Sequence, residues 1–417
     1  MEPVDLFAIV LVLAVLIGCI NHIWIRLPPA IGMLLGSLAV SLLIVGSDHV
    51  LHLQVMRWFR LTLSDADLPH FFLDGVLALL LFAGSLHVDV AELNRRRWLI
   101  LLLATASVLL SASLFGYGMY VMSGLIGAAV PLAWCVVLGA ILAPTDAVVV
   151  ENLLRKAGLP ARLRAAIVGE SLFNDGAGVV LFLLALGVTQ GDVIHLGHGR
   201  VAGALLREIA GGAMLGVIAG WLAALLLRRI NDDGLQLLIS LALVLGCYRL
   251  ALLAELSGPI AVVAAGLCLG SPSPRFSMTA NTRSVLLGFW SPLNQILNIM
   301  LFLLMGLHIL ALVIQPIQLL PLAFAIPLAV VSRFVSVAVP LALTRENVSE
   351  KLRAATVLTW AGLRGGISIA LALTLPPSPW RTDLLVVTYG VVVFTIVAQG
   401  LTFPHFLRVA YGAKQQG

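Results

Sequence analysis

The chain has 417 residues, of which 60% are hydrophobic and 11% are charged, and its formal net charge is +5. Ordinary soluble domains carry about 25% charged residues, so this composition excludes that class and predicts an all-α, polytopic membrane protein. The excess of basic residues is assigned to loops on one side of the membrane, and no nucleic-acid partner is expected. The four cysteines lie in apolar runs without C-x-x-C spacing, which predicts neither a disulfide framework nor a zinc site.

Runs of about 20 apolar residues predict thirteen transmembrane helices. Basic residues are concentrated in alternate loops between these runs. Because Lys and Arg favour cytoplasmic loops, this pattern predicts an N-terminus outside and a C-terminus inside. The thirteen predicted spans are residues 4–25, 30–46, 70–91, 98–121, 131–152, 163–189, 201–227, 234–253, 257–271, 286–313, 318–343, 354–375 and 383–407.

The fifth span contains the sequence Ala143-Pro144-Thr145-Asp146. A proline in mid-helix removes a backbone hydrogen bond and clashes with the preceding turn, so a helix break is predicted there. Broken helices within a bilayer are tolerated where they line a polar cavity, and they mark the binding sites of many transporters. A plainer alternative stays open, in which Thr145 and Asp146 only cap the second half of the helix.

The sixth span carries four polar side chains, Glu170, Ser171, Asn174 and Asp175. Their spacings include i to i+3 and i to i+4, which place side chains along one strip of a helix. Ionisable residues in the membrane interior are functional candidates, and a strip of oxygen atoms suits a small hard cation. Polar contacts between helices account for Ser171 and Asn174, but they do not account for a mid-membrane aspartate beside a glutamate.

Four charged residues are predicted to reach the middle of the membrane. Asp146, Asp175, Arg333 and Arg364 each lie nine to twelve residues from a predicted cytoplasmic basic loop. At about 1.5 Å per helical residue this is roughly 14 to 18 Å, within a hydrocarbon core about 30 Å thick. The two acids are therefore expected to meet at one depth. For the two arginines, a purely structural role as counter-ions stays open.

A second interruption is predicted in the twelfth span, where three glycines surround Arg364 in the segment from Gly362 to Gly366. The fifth and twelfth spans have opposite orientations in the predicted topology. Matching interruptions in two oppositely oriented halves are typical of inverted-repeat transporters, which bind their substrates near the bilayer midplane. The geometry thus predicts a transporter with a charged midplane site.

Three segments carry a resemblance to a known family. The sequence GESLFNDGAGVV at Gly169–Val180 is preceded by APTDAVVV at Ala143–Val150 and followed by GLRGGISIALAL at Gly362–Leu373. Together they resemble the monovalent cation/proton antiporter-1 family, in particular its NhaP-type sodium/proton antiporters, which are bacterial relatives of the sodium/hydrogen exchangers. The resemblance extends from the first span to the last.

The resemblance implies an inverted-repeat antiporter fold in which broken helices of spans 5 and 12 cross. It also implies a homodimer surrounded by membrane lipid. The implied units are a dimerisation domain (residues 1–97 and 231–315), a connecting helix (200–230) and a core ion-transport domain (98–199 and 316–417).

The resemblance also implies roles for individual residues. Asp175 is the essential acid, Glu170 pairs with Arg333, and Thr145 contributes through its backbone. Asp74 receives no role, although relatives often carry an acid in the third span. The implied ion- and proton-binding residues are Asp175, Asp146, Ser171, Thr145 and Asn174, of which all but Asn174 are ligands of the transported Na⁺, and the charge partners are Glu170, Arg333 and Arg364.

The implied activity is secondary transport and not enzymatic catalysis, with Na⁺ or Li⁺ and H⁺ as substrates and no cofactor. Because Asn174 cannot carry charge, Asp175 is the one carboxylate of the Asn174–Asp175 pair that binds the cation and the proton in turn. The hypothesis is therefore electroneutral exchange of one cation for one proton. The expected location is a plasma membrane, in particular a bacterial inner membrane. Two alternatives stay open: a potassium/proton antiporter, and an organic anion symporter that uses Arg364 as a clamp. An intramembrane aspartyl protease is disfavoured because neither Y-D nor G-x-G-D occurs in the chain.

Overall fold

The computed structural model describes residues 3–51, 75–88, 90–146, 161–191, 198–271, 278–308, 315–344 and 347–411. Asp74 and the second half of the predicted fifth span, residues 147–152, lie outside these ranges. All regular elements within them are helical, which confirms the predicted all-α class. The helices are α1 (Pro3–Ile20), α2 (Pro29–Leu51), α3 (Leu77–Leu86), α4 (Val90–Arg95), α5 (Arg97–Ala104), α6 (Ala106–Leu125), α7 (Leu132–Ile141), α8 (Ala161–Gln190), α9 (His198–Leu227), α10 (Asp233–Leu253), α11 (Gly258–Gly270), α12 (Ala280–His308), α13 (Leu319–Ala342), α14 (Val348–Ala361), α15 (Gly366–Leu373), α16 (Arg381–Phe394) and α17 (Gly400–Tyr411).

The membrane character of the fold is evident from helix length and hydropathy. Among the described residues, nine helical segments are long and apolar enough to cross a bilayer, and the bent pair of α14 and α15 provides a tenth. Three shorter apolar helices, α3, α7 and α11, accompany them. The prediction of a polytopic membrane protein is therefore confirmed.

Both predicted interruptions are present. The helix α7 ends at Ile141, and the chain is not helical through Asp146. Between α14 and α15 the chain leaves the helix at Gly362 and bends by 54°. Proline and clustered glycines account for these breaks, since both residue types disfavour a continuous helix.

Two helices begin well before their predicted starts. The helix α14 begins at Val348, whereas the apolar run predicted a start near residue 354. The helix α12 begins at Ala280, whereas the apolar run predicted a start near residue 286. The Thr279 hydroxyl accepts a hydrogen bond from the Thr282 backbone N–H at 3.1 Å. This is an N-cap interaction, and it allows a polar first turn that hydropathy does not detect.

The helix α8 lies between two large apolar clusters. One cluster combines α3 with α9, α10 and α11, and Leu172 of α8 packs within it. The other gathers α7, α13 and α14 among its helices, and Phe182 of α8 packs within that one. Gly178 of α8 also lies directly against the ring of Pro144, where a side chain would overlap the proline. The polar strip of α8 is thereby held next to the break after α7.

Candidate functional site

Asn174 is the centre of a buried hydrogen-bond network. Its Nδ2 donates to Glu170 Oε1 and to Thr145 Oγ1, both at 2.7 Å, and its side chain has 0% exposure. The Ser171 hydroxyl donates to the Thr145 carbonyl oxygen at 2.5 Å. Each of these contacts except the one to Glu170 joins α8 to the broken segment after α7. Asn174 thus holds the two elements together through a neutral amide.

Glu170 and Arg333 form a buried ion pair. Arg333 Nη2, on α13, donates to Glu170 Oε2 at 2.6 Å, and each side chain is 2% exposed. Because Glu170 also accepts from Asn174, both of its carboxylate oxygens are engaged. The structure therefore places Glu170 in a network of protein contacts, as the resemblance implied for a charge partner.

Arg364 lies at the crossing of the two broken segments. Its Nη1 donates to the carbonyl oxygens of Ala143 at 2.5 Å and Pro144 at 3.1 Å. Carbonyl groups past the end of a helix lack intrahelical partners and carry partial negative charge, and the guanidinium supplies both hydrogen bonds and positive charge. Its backbone N–H donates to Thr395 Oγ1 at 3.1 Å. Arg364 therefore stabilises the interruption after α7.

Asp146 lies at the same crossing. Its backbone N–H donates to the Leu363 carbonyl oxygen at 2.7 Å, which links one break directly to the other. The Asp146 carboxylate lies so close to Gly365 that a Cβ at position 365 would overlap it. A glycine is required there because the backbone and the carboxylate approach each other closely.

Asp146, Ser171 and Asp175 line one cavity of about 100 Å³. This volume is well above the roughly 10–15 Å³ of probe-occupied space that one water molecule requires, so the cavity has room for a cation with part of its hydration shell. Asp175 is 8% exposed. The structure thus brings together the two acids that the depth argument placed at one level. The other lining residues are Leu77, Leu80, Leu81, Gly84, His87, Val88, Val168, Leu172, Asn298, Leu301, Gly366, Ile367 and Ala370.

Three polar residues near this site were not predicted. His87 and Asn298 line the cavity, and Thr395 supports Arg364. Thr395 and Asn298 are polar residues within predicted spans, a signal that the sequence contains but that helix packing also explains. His87 follows α3 and contacts Ser291 Oγ at 2.7 Å.

Comparison with known proteins identifies the family. The family described as sodium/hydrogen exchanger, transmembrane, matches residues 10–409. The chain belongs to the sodium/hydrogen exchanger family. This membership confirms the resemblance inferred from the three motifs.

Individual relatives of this exchanger-family chain match it over nearly its whole length. The Na⁺/H⁺ antiporter NhaP of Pseudomonas aeruginosa is 36% identical over 423 residues, which cover 98% of this chain and 97% of that protein. The Na⁺/H⁺ antiporter NhaH of Halobacillus dabanensis is 29% identical over 390 residues, 91% of each. The solved structure of the sodium proton antiporter MjNhaP1 from Methanocaldococcus jannaschii superposes with a TM-score of 0.74 at 18% identity, covering 97% of both chains. The exchanger-family chain shares that fold.

Proposed function

We propose that this chain is a sodium/proton antiporter of a bacterial inner membrane, which exchanges one Na⁺ or Li⁺ for one H⁺ by alternating access. The observation that carries the proposal is the shared cavity, which is lined by the buried carboxylate of Asp175, the half-buried carboxylate of Asp146 and the hydroxyl of Ser171. The relatives named as Na⁺/H⁺ antiporters support the same substrates.

The cation site that we propose consists of oxygen atoms from Asp146, Ser171, Asp175 and Thr145. Carboxylate, hydroxyl and carbonyl oxygens are the ligands preferred by hard cations. A carboxylate that binds either Na⁺ or H⁺ is neutralised by either load. If the core domain moves between its inward-facing and outward-facing states only when Asp175 is neutralised, cation and proton must move in opposite directions.

The proposed one-for-one stoichiometry is supported by the partners of the neighbouring residues. Asn174 is a neutral amide held between Glu170 and Thr145, and Glu170 is paired with Arg333. Neither of these two side chains is available to bind and release Na⁺ or H⁺ in the cavity. In the proposal Asp175 alternates between Na⁺ and H⁺ while Asp146 stays ionised, so that both loaded states carry the same charge.

The thirteen-span topology is also part of the proposal. Among the described residues, the nine long helical segments, the bent pair and the three shorter apolar helices support this count. The alternating basic loops support an outside N-terminus and an inside C-terminus. In this arrangement residues 98–199 and 316–417 form the core, residues 1–97 and 231–315 form the dimerisation domain of a homodimer, and residues 200–230 connect them.

The cavity extends toward the proposed cytoplasmic side. His87 and Val88, which line it, precede the basic residues Arg95, Arg96 and Arg97. A small apolar cluster lies beside the cavity and includes two leucines that line it, Leu80 and Leu301. Its members are Val76, Leu80, Leu297, Leu301, Leu304 and Ala370. This arrangement supports a cytoplasm-facing state in which apolar side chains separate the site from the outside.

The test is collapse of an imposed proton gradient in proteoliposomes after addition of Na⁺, Li⁺ or K⁺, without organic solute. Wild type is expected to respond to Na⁺ and Li⁺, and Asp175→Asn is expected to abolish the response. Asp232→Asn is a matched control, because Asp232 is an exposed N-cap whose function asparagine retains. Full activity of Asp175→Asn refutes the site, a response to K⁺ alone changes the substrate, and a rate that depends on membrane potential refutes the one-for-one exchange.

A further inference from the structure

Asn298 is a polar residue that lines the cavity. It belongs to α12, is 7% exposed, and shares the cavity with Asp146, Ser171 and Asp175. Nothing in the proposed cation site comes from α12. A buried amide requires hydrogen-bond partners, so its contacts indicate what it does.

The amide orientation of Asn298 is determined by Asn294, one turn earlier on α12. Asn298 Nδ2 donates to the Asn294 backbone carbonyl oxygen at 2.8 Å and to Asn294 Oδ1 at 3.1 Å. Both N–H bonds of the amide are thereby directed to α12 itself. The remaining polar atom of the side chain is Oδ1, which is an acceptor.

An amide oxygen is a suitable ligand for a partly dehydrated cation. Asn298 lines the same cavity as Asp146 and Asp175, which makes its Oδ1 a candidate to contact an ion there, directly or through a bridging water. A neutral oxygen also adds coordination without adding charge. The proton competes only for carboxylates, since an amide does not take up a proton near neutral pH.

We propose that Asn298 Oδ1 is a further ligand of the transported cation, contributed from α12 when the site faces this cavity. The proposal rests on the antiporter function proposed above. Because α12 belongs to the proposed dimerisation domain, movement of the core withdraws Asp175 from this oxygen. Asn298 therefore raises cation affinity on the side to which the present cavity opens, without changing the number of charges carried.

The experiment compares Asn298→Leu and Asn298→Ala, which lack the oxygen, with Asn298→Asp, which keeps one. The control is Gln295→Leu, which removes an exposed amide from the same helix. The KM for Na⁺ and the maximal rate are measured by proton-gradient collapse in proteoliposomes. The increase in thermal midpoint on addition of Na⁺ is measured on the purified protein, because a bound ion stabilises the folded state in proportion to its affinity.

Loss of one charge–dipole contact is expected to raise the KM of the Leu and Ala variants about tenfold. Their maximal rate is expected to stay close to that of wild type, and their stabilisation by Na⁺ is expected to fall. Asn298→Asp is expected to keep a KM at or below the wild-type value, and Gln295→Leu to match wild type.

Two results separate this proposal from the function on which it rests. If the wild-type chain shows no cation-driven proton movement, the antiporter function itself fails. If wild type exchanges ions and the Leu and Ala variants lose maximal rate or thermal stability at unchanged KM, Asn298 only supports α12 and the ligand proposal is refuted. An equal rise in KM for Asp and Leu also refutes it, because the lost feature is then the amide donor.

Discussion

The buried pair of Glu170 and Arg333 provides a quantitative test of the site. We predict that Arg333→Leu destabilises the protein far more than the double variant Glu170→Gln/Arg333→Leu. In the single variant, the Glu170 carboxylate loses its partner at 2.6 Å while it remains 2% exposed. In the double variant, the charge is removed together with its partner.

The magnitude follows from the surroundings of the pair. Removing one partner of a buried ion pair costs about 3–5 kcal/mol, because an uncompensated charge is left in a low-dielectric site. Replacing both partners by neutral groups is often close to neutral. Glutamine can still accept the hydrogen bond from Asn174. The double variant is therefore expected to recover most of the loss.

The assay is equilibrium unfolding of the purified protein in mixed micelles with increasing SDS, for wild type, Glu170→Gln, Arg333→Leu and the double variant. The coupling free energy from this cycle is expected to be at least about 2 kcal/mol, given the cost of an unpaired buried charge. Single-variant losses below about 1 kcal/mol, the size expected for exposed pairs, would refute the interpretation. So would losses that add in the double variant.

Further predictions concern the broken segments and the proton. Gly365→Ala is expected to reduce transport strongly because its methyl group overlaps the Asp146 carboxylate, whereas Gly288→Ala, which has open space around it, leaves transport rates unchanged in the same assay. Thr395→Val removes the acceptor of one backbone N–H at the break and is expected to cost about 1–3 kcal/mol in SDS unfolding. Asn174→Asp replaces two donated hydrogen bonds with a second carboxylate near Glu170, so lower stability at neutral pH than at acid pH is expected, and equal stability at both contradicts it. The apparent KM for Na⁺ is expected to rise as pH falls, because protons compete for the same carboxylate; a KM independent of pH excludes that competition.

The sequence was sufficient to predict both helix breaks and to bring Asp146 and Asp175 together. Pro144 and the glycines around Arg364 act locally, and depth follows from the constant rise of a helix. Contacts between distant parts of the chain were harder to predict from the sequence. The depth argument brought Arg364 to the level of the acids, but its guanidinium contacts the carbonyl oxygens of Ala143 and Pro144. Backbone acceptors are present at every residue, so no sequence pattern distinguishes them.

Asn298 illustrates a second limit of prediction from the sequence. An asparagine within a membrane span often makes contacts between helices, and the spacing of Asn294 and Asn298 is compatible with that interpretation. Its significance depends on which wall of the cavity it occupies. That information comes from the packing of α12 against α3 and α15, which no local pattern contains.

The hydrogen bond from Asp146 N–H to Leu363 O joins the two interruptions through main-chain atoms alone. Among single substitutions at these two positions, only proline at position 146 removes one of its atoms, because every other residue keeps the same N–H and C=O. This hydrogen bond is therefore unaffected by most substitutions of the side chains that we propose as cation ligands. Substitutions of side chains around the cavity therefore leave this main-chain link between the two broken segments in place.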